Sequence, residues 1–188
     1  MKKLNILFLL GIFITSISFT SCEKLADDVQ NAVEITVNTD FTAPFVATPV
    51  EGKINKDGSG SFNERAILDP RNNDDLSPYL DKIKNVDLQS IRILITKVSV
   101  PNLILQSATF TLIDNVDGSV FSYSTPENTP IAEGSVFIVP EEVADWDLVS
   151  KTFNSMHAST ITAVGSLNQE NFEIEFEYIV SSKILVKK

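Results

Sequence analysis

The sequence predicts an all-β protein, mainly an antiparallel β-sandwich of about seven to nine strands with one or two short helices, and a β-barrel is the alternative architecture. Two observations support this fold class. Apolar and polar residues alternate with a period of two in segments spread along most of the chain, as half-buried strands require. Turn-forming Asp-Gly pairs and polar stretches separate these segments, so neighbouring strands are expected to pair antiparallel.

The two ends of the predicted domain carry the clearest strand patterns. Near its start, Val33, Ile35 and Val37 alternate with polar residues. The longest alternation lies at the C terminus, where mostly charged residues occupy the opposite positions, so we expect a strand with one apolar and one charged face. Its apolar positions are Phe172, Ile174, Phe176, Tyr178, Val180, Ile184 and Val186.

Six further segments between these ends have strand-like patterns. In the segment 104–113, Ala108, Phe110 and Leu112 are expected to face the core. The other segments are 62–68, 88–100, 120–124, 135–139 and 159–167.

Two helices are expected among the strands. Ser77 suits an N-cap and Pro78 suits the first helical position. The apolar positions of this helix are Tyr79, Leu80, Ile83 and Val86. The second helix follows Pro140, where Glu141 and Glu142 complement the helix dipole, and is expected to lie across an open end or face of the sheets. Its apolar stripe consists of Val143, Trp146, Val149, Phe153 and Met156.

The first 21 residues have the order of a secretory signal. Lys2 and Lys3 precede a mostly apolar stretch at 4–14, and mainly small or hydroxylated residues follow up to Ser21. The apolar segment is shorter than the roughly 20 residues that a membrane-spanning helix needs. We therefore expect residues 1–21 to be removed as a signal peptide.

The end of this signal resembles the lipobox of bacterial lipoproteins. Residues 19–22 read Phe-Thr-Ser-Cys where that family has leucine, two small residues and cysteine, so Phe19 departs from the preferred aliphatic residue. The resemblance implies that Cys22 receives a diacylglycerol and becomes the new N terminus. Acids after the cysteine are similar to those of lipoproteins of the Bacteroidota, in which they can mark export to the outer face. These acids are Glu23, Asp27 and Asp28.

These features divide the chain into a signal peptide at 1–21, a lipidated cysteine and tether at 22–31, and a single β-sandwich domain at 32–188. The lipid implies attachment to the outer membrane of the cell envelope and leaves open whether the domain faces the periplasm or the medium. Because Cys22 is the only cysteine, no internal disulfide can form.

The charge of the chain limits the class of partner. It carries 15 basic and 25 acidic residues, a net charge of −10, and loss of Lys2 and Lys3 with the signal makes this −12. Such a surface disfavours nucleic acid and anionic lipid headgroups, and it favours cations or neutral and basic partners.

The densest group of oxygen ligands lies in one loop before the first predicted helix. It consists of Asp69, Asn72, Asn73, Asp74 and Asp75. Loops of this composition can bind Ca²⁺ or hydrogen-bond sugar hydroxyls, whereas a solvated connection is the simpler interpretation. This loop is the candidate polar site of the sequence.

A second stretch, at 53–64, matches an EF-hand loop at Asn55, Asp57, Gly58 and Glu64. Lys53 occupies the first carboxylate position, where a cation repels the metal. The stretch is therefore predicted as a hairpin turn, and no cofactor is expected, with Ca²⁺ at the 69–75 loop as the alternative.

Aromatic side chains offer possible contacts with a ligand. Tyr79 and Tyr123 are the candidates, and Tyr123 is expected to be exposed because it precedes turn-like residues at 124–126. Trp146 lies in an apolar helical stripe and is expected in the core. The stretch 125–133 is a second polar loop that can approach a ligand.

No catalytic or metal-binding residue is predicted. Glu141 with Asp145, and the glutamates at 173–177, offer carboxylate pairs, but both sets are better explained as solvated surfaces. His157 is the only histidine, and no serine lies in a Gly-x-Ser-x-Gly motif. His157 is instead expected to complement the dipole at the end of the second helix.

Three functions remain open from the sequence. The leading one is a non-enzymatic, lipid-anchored envelope lipoprotein that acts as a binding or assembly module for a protein or glycan. The second is a carrier of a lipid or other apolar ligand between the sheets, with which the 12 phenylalanines are compatible. The third is a carboxylate-based glycan hydrolase.

Overall fold

A computed structural model of the chain describes residues 34–50, 58–142 and 145–187. The predicted signal peptide, Cys22, the tether and Val33 lie outside the described residues, as do the first part of the EF-hand-like loop, at 53–57, and Val143 of the predicted helical stripe. The described residues fold into nine strands and three short helices.

The strands form two sheets in which all neighbours pair antiparallel. Sheet A has the order β1-β9-β3-β7, and sheet B has the order β2-β8-β4-β5 with β6 paired to one end of β4. The strands are β1 (Glu34–Ala47), β2 (Gly60–Leu68), β3 (Ile83–Val98), β4 (Leu103–Asp114), β5 (Val120–Ser124), β6 (Thr129–Ile131), β7 (Val136–Ile138), β8 (Ser159–Leu167) and β9 (Ile174–Lys187). The predicted β-sandwich is confirmed, because these strands form two sheets rather than one closed barrel.

The predicted terminal strand is β9, which lies between β1 and β3 in sheet A. Its alternate residues are buried along the whole strand, so its predicted apolar face is confirmed. It pairs with β1 from the Glu34–Lys187 pair to the Ala47–Ile174 pair, which takes β1 well beyond the predicted alternation at its start. Pro44 fits within β1 because the strand lies at the edge of the sheet, where no partner needs its amide.

The first predicted helix is wrong in type and length. A 3₁₀ helix covers Ser77–Lys82, its N-cap position is Leu76 rather than Ser77, and β3 begins at Ile83. Val86, predicted on the helix, is a buried strand residue. The reason is tertiary, since the end of β9 extends to Lys187 and finds its partner in the first residues of β3. Another 3₁₀ helix, Pro70–Asn72, precedes it.

The second predicted helix is confirmed but is shorter than its apolar pattern. Helix α1 covers Trp146–Asn154, and the Asp145 side chain caps it by accepting from the Leu148 amide at 3.2 Å. Glu141 and Glu142 lie in a preceding turn. The helix packs on the sandwich through Phe153, whose ring centroid is 5.0 Å from that of Phe41 on β1.

Aromatic side chains of both sheets meet at the centre of the sandwich. Phe176 of β9 contacts Phe62 of β2 and Phe110 of β4, with ring centroids 5.7 and 5.8 Å apart. Phe172 adds an edge contact with Phe62 at 6.3 Å. These rings occupy the space between the two sheets at the centre of the sandwich. Their contacts therefore favour a filled core at this place.

Strand β6 was missed by the sequence analysis, which placed its residues in the polar loop at 125–133. Only three residues, Thr129–Ile131, form this strand, and Pro130 interrupts the alternation. Its pairing with Leu103–Leu105 of β4 is what makes it a strand.

A close approach between β8 and its neighbours makes Gly165 sensitive to substitution. A Cβ atom at this position lies 2.4 Å from the Ser107 carbonyl oxygen and 2.5 Å from Cζ of Phe62. We expect Gly165→Ala to lower the free energy of unfolding by about 1–3 kcal/mol, the usual cost of overpacking. Val164→Ala, on the exposed face of the same strand, is the control and should cost at most about 1 kcal/mol. Urea denaturation compares the two, and equal losses would contradict this account.

Candidate functional site

Two polar residues interrupt the apolar faces of β1 and β9 at the same place. Thr39 is 8% exposed and Ser182 is 3% exposed, and both occupy positions that are apolar elsewhere along the strand. The register places them directly opposite each other. The two interruptions therefore form one polar spot in the inner face of sheet A.

The loop that the sequence nominated folds onto this spot. Asn73 donates from Nδ2 to Oγ1 of Thr39 at 3.0 Å and to the Asp40 carbonyl oxygen at 3.1 Å. Oγ1 of Thr39 donates to Oδ2 of Asp75 at 3.1 Å. The structure thus brings Asn73 and Asp75 to a buried threonine of a distant strand, a contact that no local pattern indicated.

The first acid of the loop has a structural role. Asp69 caps the Pro70–Asn72 helix by accepting from the Arg71 amide at 3.0 Å, and it forms an ion pair with the Arg71 guanidinium at 2.7 Å. That guanidinium holds the pKa of the Asp69 carboxyl below its usual value, against the opposing effect of burial. Asp69 is therefore engaged within the loop.

A cleft of about 510 Å³ opens beside the polar spot, and we call it the polar bay. Ser182 is one of the residues that line it, and the buried Oγ atom of Ser182 has no hydrogen-bond partner among the described residues. Gln89 reaches the bay from an irregularity in the pairing of β3 with β9. The bay is lined by Asn38, Thr39, Asp40, Asp75, Gln89, Ser181 and Ser182.

A second cleft, of about 360 Å³, lies on the other side of Asp40 and is called the loop cleft here. Within the described part of the chain, Asp74 and Asp75 form no ion pair, whereas Asp40 is paired with Arg92 at 2.8 Å. The loop cleft is lined by Asp40, Phe41, Thr42, Ile67, Leu68, Asp69, Asn72, Asn73 and Asp74. All five nominated loop residues therefore line one or the other of two adjoining clefts.

The two tyrosines predicted to contact a ligand line neither cleft. Tyr123 is 8% exposed, so the expectation of an exposed ring is wrong. The alternation of β5 turns Phe121 and Tyr123 inward together, and burial raises the pKa of the Tyr123 hydroxyl. Tyr79 is partly buried against the core, as is Trp146, so neither ring lies in the polar bay or the loop cleft.

The carboxylates considered for hydrolysis have other partners. Asp145 caps α1, and Glu173 and Glu175 both bind Nζ of Lys97, at 2.8 and 2.9 Å. These two glutamates raise the pKa of the Lys97 amine. In the segments that the structure describes, no group of three or more His, Cys, Asp or Glu side chains is placed to hold a metal ion.

His157 has a specific partner that the sequence analysis missed. Helix α1 ends at Asn154, and Met156 adopts a left-handed backbone conformation with φ of 51°. His157 then places Nδ1 2.8 Å from Oδ2 of Asp114, a residue that is 2% exposed. Burial opposes ionisation of Asp114, but hydrogen bonds, led by that from the Val116 amide, hold the pKa of its carboxyl below its usual value.

Comparisons with known proteins show no family. No known family matches the chain, and no curated protein matches it. Among solved structures, the chain is similar to a chain in the structure of infectious bursal disease virus, Gx strain. The identity is 12% and the TM-score is 0.31, and the match covers 84% of this chain and 33% of the viral chain. The Gt strain gives 13% identity, a TM-score of 0.29, and coverage of 81% and 33%. The chain thus spans about a third of the length of these structures.

None of the helices in the described segments has the length and apolar character needed to cross a bilayer.

The hydrogen bonds of Asp114 predict a dependence of stability on pH. Because its pKa is lowered on folding, its stabilising contribution is complete above the unfolded value of about 3.9 and is lost as the pH falls through the folded pKa. We expect Asp114→Asn to lower the free energy of unfolding by about 1–3 kcal/mol at pH 7, with the difference from wild type narrowing below pH 4.

Urea denaturation at several pH values measures this difference. Asp81→Asn, which changes an exposed aspartate of the 3₁₀ helix, is the control and should leave the curve unchanged. A difference of the same size at pH 7 and pH 2.5 would show that the charge of Asp114 is not what stabilises this turn.

Proposed function

We propose that this chain is a lipid-anchored envelope lipoprotein whose β-sandwich is a non-enzymatic binding module for a neutral, hydroxyl-rich ligand, a glycan segment, held in the polar bay and the loop cleft. The observation that carries the binding site is Ser182, which lines the bay and whose buried hydroxyl lacks a hydrogen-bond partner among the described residues. Leaving such a group unsatisfied costs about 1–3 kcal/mol, and a ligand hydroxyl that reaches the Ser182 Oγ as the side chain rotates removes that cost.

The chemistry around Ser182 supports a sugar over an ion. Gln89 and Asn38 are amides that both donate and accept, and Asp75 is an acceptor without an ion-pair partner in the described segments. Sugar hydroxyls also donate and accept, so one sugar ring can hydrogen-bond to the serine hydroxyl, the amides and the carboxylate. A volume of about 510 Å³ suits a small ligand rather than a protein surface. An anion is disfavoured by the adjacent aspartates.

A binding role without catalysis is supported by the partners of the carboxylates. Hydrolysis of a glycosidic bond needs two carboxyl groups on either side of that bond. Asp69 is paired with Arg71, and Asp40 with Arg92. Asp74 and Asp75 remain, and they line different clefts. The arrangement therefore favours recognition of a ligand over its cleavage.

The membrane anchor in this proposal is Cys22, which lies outside the described residues. It is supported by the order of positive, apolar and small residues before it and by its being the only cysteine. The lipid supplies the membrane affinity, so a domain with a net acidic surface has no need to bind the bilayer itself.

We expect Ser182→Ala to weaken binding of a bound glycan by about five- to tenfold, the effect of one lost hydrogen bond. The same change should leave the free energy of unfolding unchanged or raise it, because it removes an unsatisfied buried hydroxyl. Asp75→Asn should weaken binding by about tenfold or more, since it removes a charged acceptor. Glycan arrays followed by calorimetry on the full-length processed protein provide the measurements.

Two control variants separate the bay from general surface effects. Ser155→Ala and Asp81→Asn change exposed residues outside both clefts and should leave glycan affinity unchanged. No binding to any glycan of a broad array, or equal losses in the bay and control variants, would refute this site.

The anchor is tested separately. Cys22→Ser should abolish incorporation of radiolabelled palmitate and should move the protein from the membrane fraction to the soluble fraction, because the acyl chains provide the attachment. Ser18→Ala, within the same signal, is the control and should keep both properties. Continued labelling of the Cys22→Ser protein would disprove lipidation at this residue.

A further inference from the structure

The outer face of sheet B is poor in charge for so acidic a protein. Where its four main strands lie side by side, it presents four outward positions on each of β2, β8 and β4 and three on β5, and none of these residues is buried. Arg65 is the single charged residue among them, although 21% of the whole chain is charged. Most of the others are serine or threonine, with a few aliphatic residues. We call this surface the neutral face.

Three pairs of hydroxyl groups on the neutral face hydrogen-bond across the strands. Thr109 with Ser124, Thr111 with Ser122, and Ser107 with Ser166 have their side-chain oxygens 2.9, 3.0 and 3.3 Å apart. Because these groups already have partners in the sheet, removing water from them costs less than removing it from unpaired polar groups. The neutral face is therefore polar in composition, but covering it with another molecule costs little desolvation free energy.

Aliphatic side chains add a driving force for covering this face. Ile67, Val120 and Val164 are 58%, 54% and 47% exposed. The register places Ile67 and Val120 in one outward-facing row across β2, β8, β4 and β5. Val164 lies in the second outward-facing row from it. Burial of such residues stabilises an interface by about 25 cal/mol per Å² of apolar surface.

We propose that the neutral face is the interface of a symmetric dimer with a second copy of this chain. Charge is the first argument, because the chain has a net charge of −10 and two copies repel each other wherever their charged surfaces meet. The outer face of sheet A carries ion pairs such as Lys84 with Glu34 and Arg92 with Asp40. On the neutral face, Arg65 is the only charged side chain that each copy brings into the contact.

Size is the second argument. Four strands about 4.8 Å apart and four rows of side chains about 6.8 Å apart cover about 500 Å². A cleft of about 460 Å³, bordered by Val50, lies at the end of this surface that carries Ser61 and Ser166. Two copies then bury about 1,000 Å² in total, the lower limit for a specific interface, so the dimer is weak and reversible.

A glycan is a poorer occupant of the neutral face than a second copy. No aromatic ring lies at its outward positions for a sugar to stack on, since the rings of β2, β4 and β5, such as Phe62, Phe110 and Tyr123, all point inward. Carboxylates are also absent from these positions. Six of the nine hydroxyls that are present are already paired with one another across the strands.

Cysteine cross-linking of the full-length chain in bacterial membranes tests the dimer. Thr111→Cys lies at the centre of the neutral face, and Thr36→Cys, outside both clefts, is the matched control on the outer side of β1 in sheet A. A short bismaleimide should join Thr111→Cys chains into a product of twice the mass at a yield at least fivefold above that of Thr36→Cys. The unchanged chain, which has only Cys22, provides the background.

A second substitution tests whether the face itself makes the contact. Thr162 lies opposite Thr111 in the ladder, so Thr162→Glu places two carboxylates in the centre of the dimer and should reduce the Thr111→Cys product at least fivefold. Thr36→Glu should leave the yield unchanged. Urea denaturation confirms that each variant is folded, and a Thr162→Ala variant replaces Thr162→Glu if the latter unfolds, with a smaller expected loss.

Each of the following three outcomes would refute the dimer. Equal yields from Thr111→Cys and Thr36→Cys mean that copies meet only by collision. A yield insensitive to Thr162→Glu means that another surface makes the contact. Loss of glycan binding in folded Thr162→Glu, without cross-linking of Thr111→Cys, means that the neutral face is a glycan surface instead. These results do not depend on the polar bay, because Ser182→Ala leaves the neutral face unchanged.

Discussion

The antiparallel pairing of β1 with β9 is the interaction on which the rest of the structure depends. Its register sets which residues of two long strands face the core, and a slip of one residue would exchange the two faces. The same register places Thr39 opposite Ser182 and so creates the polar spot onto which the 69–75 loop folds. The candidate site is thus a consequence of strand register more than of the loop itself.

Alternation of polar and apolar residues was enough to predict the sandwich, because burial of one face is the main free energy that forms a strand. It predicted β5 and β8 to the residue and the inward faces of β4 and β9. It could not predict that Thr39 and Ser182 meet, since each looks like a minor interruption of its own strand. The composition of the loop identified Asn73 and Asp75, but their partner lies more than thirty residues away.

The errors have the same physical origin. Ser77 and Pro78 favour a helix locally. From Ile83 onward, pairing with the end of β9 stabilises the chain more than a continued helix does, so the helix ends at Lys82. Tyr123 was assigned to the surface from the turn after it, although the alternation of β5 already placed it beside Phe121 on the inner face. Asp114 and His157 meet because β4 and β8 pair at that end, which is again a long-range contact.

The polar bay and the proposed interface lie on different sheets, although Ile67 of β2 borders both the loop cleft and the neutral face. The polar bay is built from strands of sheet A and the loop that folds onto them, whereas the neutral face is the outer side of sheet B. A second copy on the neutral face therefore leaves the bay of each copy uncovered. Two bays held in one assembly bind a repeating glycan with an avidity that a single weak site lacks. Dimerisation would then matter most for ligands long enough to reach both bays, and least for a single sugar.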